Sequence, residues 1–137
     1  MTIRKLILLS IIIPFISFGQ DKNNVNKAKI SAEEWISLVD NEKYNLSWEN
    51  TDILVQNLVS IENWKTIMTG SRKPLGKNIS RNITSIENKT EIQGAPDGYY
   101  YIIVYKSEFE NKKNAFETIT IKKSKDGRWK VAGYYIK

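Results

Sequence analysis

The hydrophobic period of this chain changes once, at Lys73-Pro74-Leu75-Gly76. Before that point apolar residues recur at helical spacing, and after it they alternate. Each pattern suits only one element, because the other would turn the apolar side chains to water. Helices therefore come first and strands second. That order predicts an α+β domain, with helices packed on the concave face of a curved antiparallel sheet of about four strands.

Within the helical half, Ser31-Ala32-Glu33-Glu34 reads as a capping box, opening a helix whose Trp35, Leu38 and Val39 share a face. Residues 44–48 continue that face beyond a polar stretch at 40–43. Thr51 is expected to cap a second short helix bearing Ile53, Leu54, Leu58 and Val59. Ser60 is expected to cap a third, with Ile61, Trp64, Ile67 and Met68 on one stripe and Gly70 near its end. Such stripes are assigned to the core. Residues 20–30 lack periodicity and are expected to form a flexible lead-in to a single domain over 31–137.

The alternating half begins with an expected strand over 79–92, polar enough to lie at a sheet edge. Ala95-Pro96-Asp97-Gly98 supplies a turn. In the strand over 99–109, Tyr99, Tyr101, Ile103, Tyr105, Ser107 and Phe109 share a face that stays apolar longer than its opposite, so it is pointed at the helices. Two further strands cover 115–123 and 129–136. A two-residue Asp126-Gly127 loop between them would set Ile121 opposite Ala132 and mix the faces. A three-residue loop, Lys125-Asp126-Gly127 with Gly127 left-handed, sets Ile121 opposite Val131 and Ile119 opposite Gly133. The second register matches core with core. Gly133 then reads as a bend that curves the sheet.

Residues 1–19 read as an address rather than as part of the fold. Arg4 and Lys5 precede an apolar run over 6–18, and Ser17 and Gly19 precede a polar segment, as in a secretory signal peptide. The run is too short for about 30 Å of hydrocarbon, and Pro14 interrupts it. No cysteine follows for lipid attachment. Cleavage is expected near Gly19/Gln20, giving an exported protein, periplasmic or secreted, without a membrane partner. Losing Arg4 and Lys5 leaves 19 basic against 15 acidic residues. Lys112-Lys113 and Lys122-Lys123-Lys125 fall beside turns, where lysine keeps strand ends soluble; they form no basic stripe for nucleic acid.

Histidine and cysteine are absent. This removes His-based triads, thiol nucleophiles, Cys/His metal sites and disulfides, and no cofactor or metal is expected. An enzyme here would rely on Asp, Glu, Lys, Tyr, Ser or Thr. The chosen register offers one constellation. Glu117 is the charged residue expected on the core face of a central strand, opposite Tyr135, and opposite Ser107 if Phe109 pairs with Ala115. A carboxylate among apolar neighbours, with a hydroxyl donor nearby, could serve acid/base chemistry of an isomerase or hydrolase kind. The competing reading is structural: Glu117 wet at the mouth of a cone, or paired with Arg72 or Arg81. A non-enzymatic binding domain is the preferred expectation. It would use the cavity beside Glu117, Tyr135, Tyr105, Arg72 and Arg81, or a sheet face carrying Tyr100, Tyr134 and Tyr135 that could also form a homodimer.

Spaced motifs over residues 32–137 add a resemblance. They are Ala32-Glu33-Glu34-Trp35, Val39-Asp40, Trp48, Trp64, Arg72, Pro74-Leu75-Gly76 and Ser80-Arg81 in the first part. Gly94-Ala95-Pro96-Asp97-Gly98-Tyr99, Tyr105, Phe109, Glu117-Thr118, Gly127-Arg128-Trp129 and Val131-Ala132-Gly133-Tyr134 follow. On these residues the chain resembles an exported bacterial family known as domain of unknown function 4019. The resemblance implies an α+β cone similar to nuclear transport factor 2-like and cystatin-like domains. It implies no activity.

Overall fold

In the computed structural model, residues 18–137 are described. The expected signal peptide falls on residues 1–19 and so lies almost wholly outside them. The first helix, α1 (Phe18–Asp40), is longer than its sequence reading. The stretch expected to be a flexible lead-in is helical, and Ser31 lies inside the helix instead of capping it. The reason is a stripe at Val25, Ala28, Ala32, Trp35, Ile36 and Val39, all within or against the core. Alanine carries little hydrophobic weight, so the first turns of the stripe look polar in the sequence. Both alanines are nevertheless fully buried, which lets the helix backbone approach the sheet closely. Ser31 serves that approach, its Oγ donating to the carbonyl of Trp129 at 2.6 Å.

At its far end α1 stops where Glu42 turns left-handed, at φ 58°. The Glu42 N–H then bonds back to Val39 O at 3.0 Å and the Lys43 N–H to Leu38 O at 2.8 Å, closing off the last carbonyls of the helix. Three short helices follow: α2 (Tyr44–Glu49), α3 (Ile53–Leu58) and α4 (Ile61–Ser71). Buried indoles need a partner for their N–H, and here those partners hold the layer together. Trp35 donates to Ser47 O at 2.8 Å, Trp64 to Ser47 Oγ at 3.0 Å and Trp48 to Val59 O at 2.8 Å. Ser60 caps α4 as expected, accepting from the Asn63 N–H. The cap of α3 is Asp52 rather than Thr51, with its carboxylate accepting from the Leu54 N–H. A helix this short has room to bury little. Val55 is inside, while Ile53 and Leu58, assigned to the core, are exposed, as is Ile67 of α4.

A short turn at Lys73–Leu75 leads to four antiparallel strands in the order β1-β2-β3-β4: β1 (Asn78–Lys89), β2 (Tyr100–Phe109), β3 (Lys112–Lys123) and β4 (Trp129–Ile136). The helices pack against one face of this open sheet. β1 lies at an edge, as its polarity predicts. The apolar face of β2 points inward from Tyr101 to Phe109, while Tyr99 falls outside the strand and is exposed. Gly127 is left-handed at φ 84°, and Ile121 pairs with Val131 as expected. The register then departs from expectation. Thr120 pairs with Gly133, Ile119 with Tyr134 and Glu117 with Ile136. Ala132 is the extra residue of a β-bulge, and a one-residue slip exchanges the two faces of everything beyond it. Gly133 marks that bulge rather than a simple bend.

A charged cluster and an open groove beside it

Six side chains from different elements meet at one end of the sheet's inner face. Asp40 comes from the last turn of α1, Arg72 from the C-cap of α4 and Arg81 from β1. Ser107, Glu117 and Tyr134 come from β2, β3 and β4. Arg81 is the hub. Its Nη1 and Nη2 grip Asp40 at 2.7 and 3.0 Å, and its Nε and Nη2 grip Glu117 at 2.7 and 3.2 Å. Paired contacts of this kind fix both partners, because the planar guanidinium matches the carboxylate fork. Arg72 adds a bond from Nη2 to Asp40 at 3.1 Å, gives Nη1 to Gly76 O at 2.7 Å, and lies 4.5 Å over the Phe109 ring.

Glu117 is fully buried. Both of its oxygens are in use: Oε1 accepts from Arg81 and from Ser107 Oγ at 2.5 Å, and Oε2 from Arg81 and from the Tyr134 hydroxyl at 2.5 Å. Two arginines thus face two carboxylates, and the cluster is balanced in charge. Burial works to raise the pKa of Asp40, but the hydrogen bonds and charge of Arg81, then those of Arg72, outweigh it and hold the carboxyl below its usual range. Burial likewise works against the Arg81 charge, and the bonds and charges of Asp40 and Glu117 more than restore it. Tyr134 is driven above the ordinary phenol value, first by burial and then by the charge and hydrogen bond of Glu117.

Several sequence expectations are corrected by this geometry. Tyr135 is 60% exposed on the outer face, because the bulge at Ala132 places Tyr134 inward in its stead. Ser107 does reach Glu117, but as a diagonal neighbour. It pairs with Ala115, Phe109 pairs with Lys112, and the residue directly opposite Glu117 is Tyr105. Arg81 is the arginine that pairs with Glu117, while Arg72 pairs with Asp40. Glu117 is not wet at a cavity mouth. Asp40 and Tyr134 were missed. An acid in the last turn of a helix opposes the helix dipole and calls for a nearby cation, and a glycine inside a strand signals a bulge. Those were the available signals.

Beside the cluster lies a groove of about 490 Å³, between Glu33, Ile36, Ser37 and Asp40 on α1 and Arg81, Asn82, Ile83 and Tyr105 on the sheet. It exists because α1 packs chiefly over β4 and β3, leaving the inner side of β1 only partly covered. Tyr105 lines this groove, and its hydroxyl is buried with no hydrogen-bond partner among the described residues. Its pKa is pushed up to about 12, by burial first and then by the charge of Glu33, with Arg81 pulling the other way. Among the described residues no group of His, Cys, Asp and Glu is arranged to hold a metal ion.

A family model described as a protein of unknown function, DUF4019, matches residues 31–134. The chain belongs to that family. The span matched by the DUF4019 model contains every member of the charged cluster. No curated protein and no solved structure matches the chain.

Proposed function

We propose that this DUF4019 protein is an exported, non-enzymatic binding domain that takes its ligand in the groove between α1 and β1. One observation carries the reading. The acid that could have done chemistry is saturated, whereas two residues lining the groove beside it, Glu33 and Tyr105, carry polar groups without partners among the described residues. Glu117 has no exposed surface and accepts from Arg81, Ser107 and Tyr134 on both oxygens, so it has neither access to a substrate nor a free lone pair directed at one. The Tyr105 hydroxyl is unpaired, and Glu33, exposed on α1, makes no ion pair among the described residues. A concave, partly apolar surface with a few converging polar groups is the usual form of a binding site. The leader-like residues 1–19 support export, which intact mass of the exported fraction tests: the mature chain should begin near Gln20.

The binding reading is tested by titrating amino acids, short peptides and monosaccharides against isotope-labelled protein and following backbone amide shifts. Shifts gathered at Ser37, Asn82 and Tyr105 are expected. Shifts confined to the outer sheet face, around Phe116 and Tyr135, would move the site there. The acid/base alternative centred on Glu117 requires Glu117→Gln to preserve or raise stability, the reverse of what a buried charge pair dictates.

A further inference from the structure

The groove has a neighbour that narrows the class of ligand. Among the described residues β1 is an outer strand of the sheet with no strand paired to its free side, so its outward N–H and C=O groups are open to another chain. The opposite edge is not available in the same way. Thr51 forms a parallel bridge with Val131, and the Asp52 N–H donates to Val131 O at 2.7 Å.

An added strand would place alternate side chains on the inner face, next to the inward residues Arg81 and Ile83 of β1, which themselves line the groove. Charge decides what such a side chain should be. Asp40 and Glu117 are already neutralised by Arg72 and Arg81. Glu33 makes no ion pair among the described residues, and Tyr105, which lines the same groove, has a buried hydroxyl without a hydrogen-bond partner among them. Ile36 and Ile83 supply apolar walls of the kind that a long aliphatic stem covers while its charged head stays polar-bound. Resting on the groove reading above, we infer that β1 takes up an extended peptide as a fifth strand, with a lysine or arginine side chain of that peptide lying in the groove against Glu33 and Tyr105.

A second copy of the chain fits less well, because the cation that its β1 would bring to the inner face is Arg81, already committed to Asp40 and Glu117. The bound segment should also be short. Bulges interrupt β1 between Asn78 and Ser80 and between Ile83 and Ser85, and such breaks limit how far a straight strand can follow.

The test uses the intact, isotope-labelled chain and three capped peptides of alternating threonine and valine, with lysine, norleucine or glutamate at the centre. The lysine peptide should shift the amides of residues 80–88 and of Tyr105, and should bind about tenfold more tightly than the norleucine peptide, as a charge-assisted hydrogen bond requires. Glu33→Gln should abolish that preference, so that the lysine and norleucine peptides bind the variant equally. Equal affinity of the two peptides at β1 would overturn the inference and leave the groove reading standing. An absence of β1 shifts with all three would overturn the strand-addition proposal, and shifts at Phe116 and Tyr135 would overturn both it and the groove reading. Concentration-dependent β1 shifts without any peptide would overturn it in favour of pairing between two copies.

Discussion

The two edges of the sheet differ in how they are finished. At β4 the edge is built into the core. Trp129 and Val131 are buried, Thr51 and Asp52 are buried against them, and Ser31 of α1 bonds to the Trp129 carbonyl. At β1 the inward side chains Ile83 and Ile86 are only half-buried, and a groove separates the strand from α1. One residue of β1 is an exception. Arg81 reaches inward to join the buried cluster, while Ile83 and Ile86 pack against the core only in part. The contrast shows how one sheet can present a stable side and a receptive side. Buried groups are concentrated at β4 and around the Arg81 hub, whereas most of the remainder of β1 is exposed on its side chains and held through its ladder with β2 and the partial packing of Ile83 and Ile86.

Removing the hub should break the comparison most severely. Arg81→Met leaves Glu117 buried without its cation, and a loss of about 3–5 kcal/mol in urea melts is expected. Asp40→Asn should cost less, about 1–3 kcal/mol at neutral pH, since Asp40 keeps some solvent contact. Its effect must also depend on pH. The folded pKa of Asp40 is lowered, so its contribution is present above the unfolded value, near about 4, and is lost as pH falls through the folded value. The gap between parent and Asp40→Asn, measured by urea melts across that range, should therefore close in acid and stay open at neutral pH.

At the covered edge, Asp52→Ala removes the α3 cap and a hydrogen bond accepted from Ser124 Oγ. A loss of about 1–2 kcal/mol is expected from thermal or urea unfolding. The smallest effect belongs to the open edge. Asn82→Lys, on an exposed position of β1, should change stability by no more than about 0.5 kcal/mol. A loss as large as that of Asp52→Ala would show that the two edges are not different in kind.

Much of this architecture was legible in the residues. The change of period at Lys73–Leu75 separated helices from strands, and the alternation in β2 identified its inner face from Tyr101 to Phe109. Positive φ at Gly127 followed from the need to match Ile121 with Val131. What escaped notice had physical causes. The start of α1 was hidden because Ala28 and Ala32 bury close backbone contacts rather than large side chains. Tyr134 was exchanged for Tyr135 because a bulge at Ala132 flips the strand, a local event that pairing hydrophobic residues cannot register until the ladder is seen. Asp40 was read as part of a polar break between helices, since its arginine partners lie 32 and 41 positions away. Glu117 was found because a charge on an otherwise apolar strand face is conspicuous. Its choice of Arg81 over Arg72 depended on the tertiary fold.

The central claim is that Glu117 is a structural acid in a closed cluster, whereas Glu33 is an acid at an open groove with no ion-pair partner among the described residues. Paired urea melts of parent, Glu117→Gln and Glu33→Gln near neutral pH test it directly. Glu117→Gln should lose about 1–3 kcal/mol as the bond between Arg81 and a buried charge is weakened. Glu33→Gln should remain within about 0.5 kcal/mol of the parent or exceed it, as expected for a residue held for binding rather than stability. A Glu117→Gln protein at least as stable as the parent, or a Glu33→Gln protein destabilised by as much as Glu117→Gln is expected to be, would contradict the account.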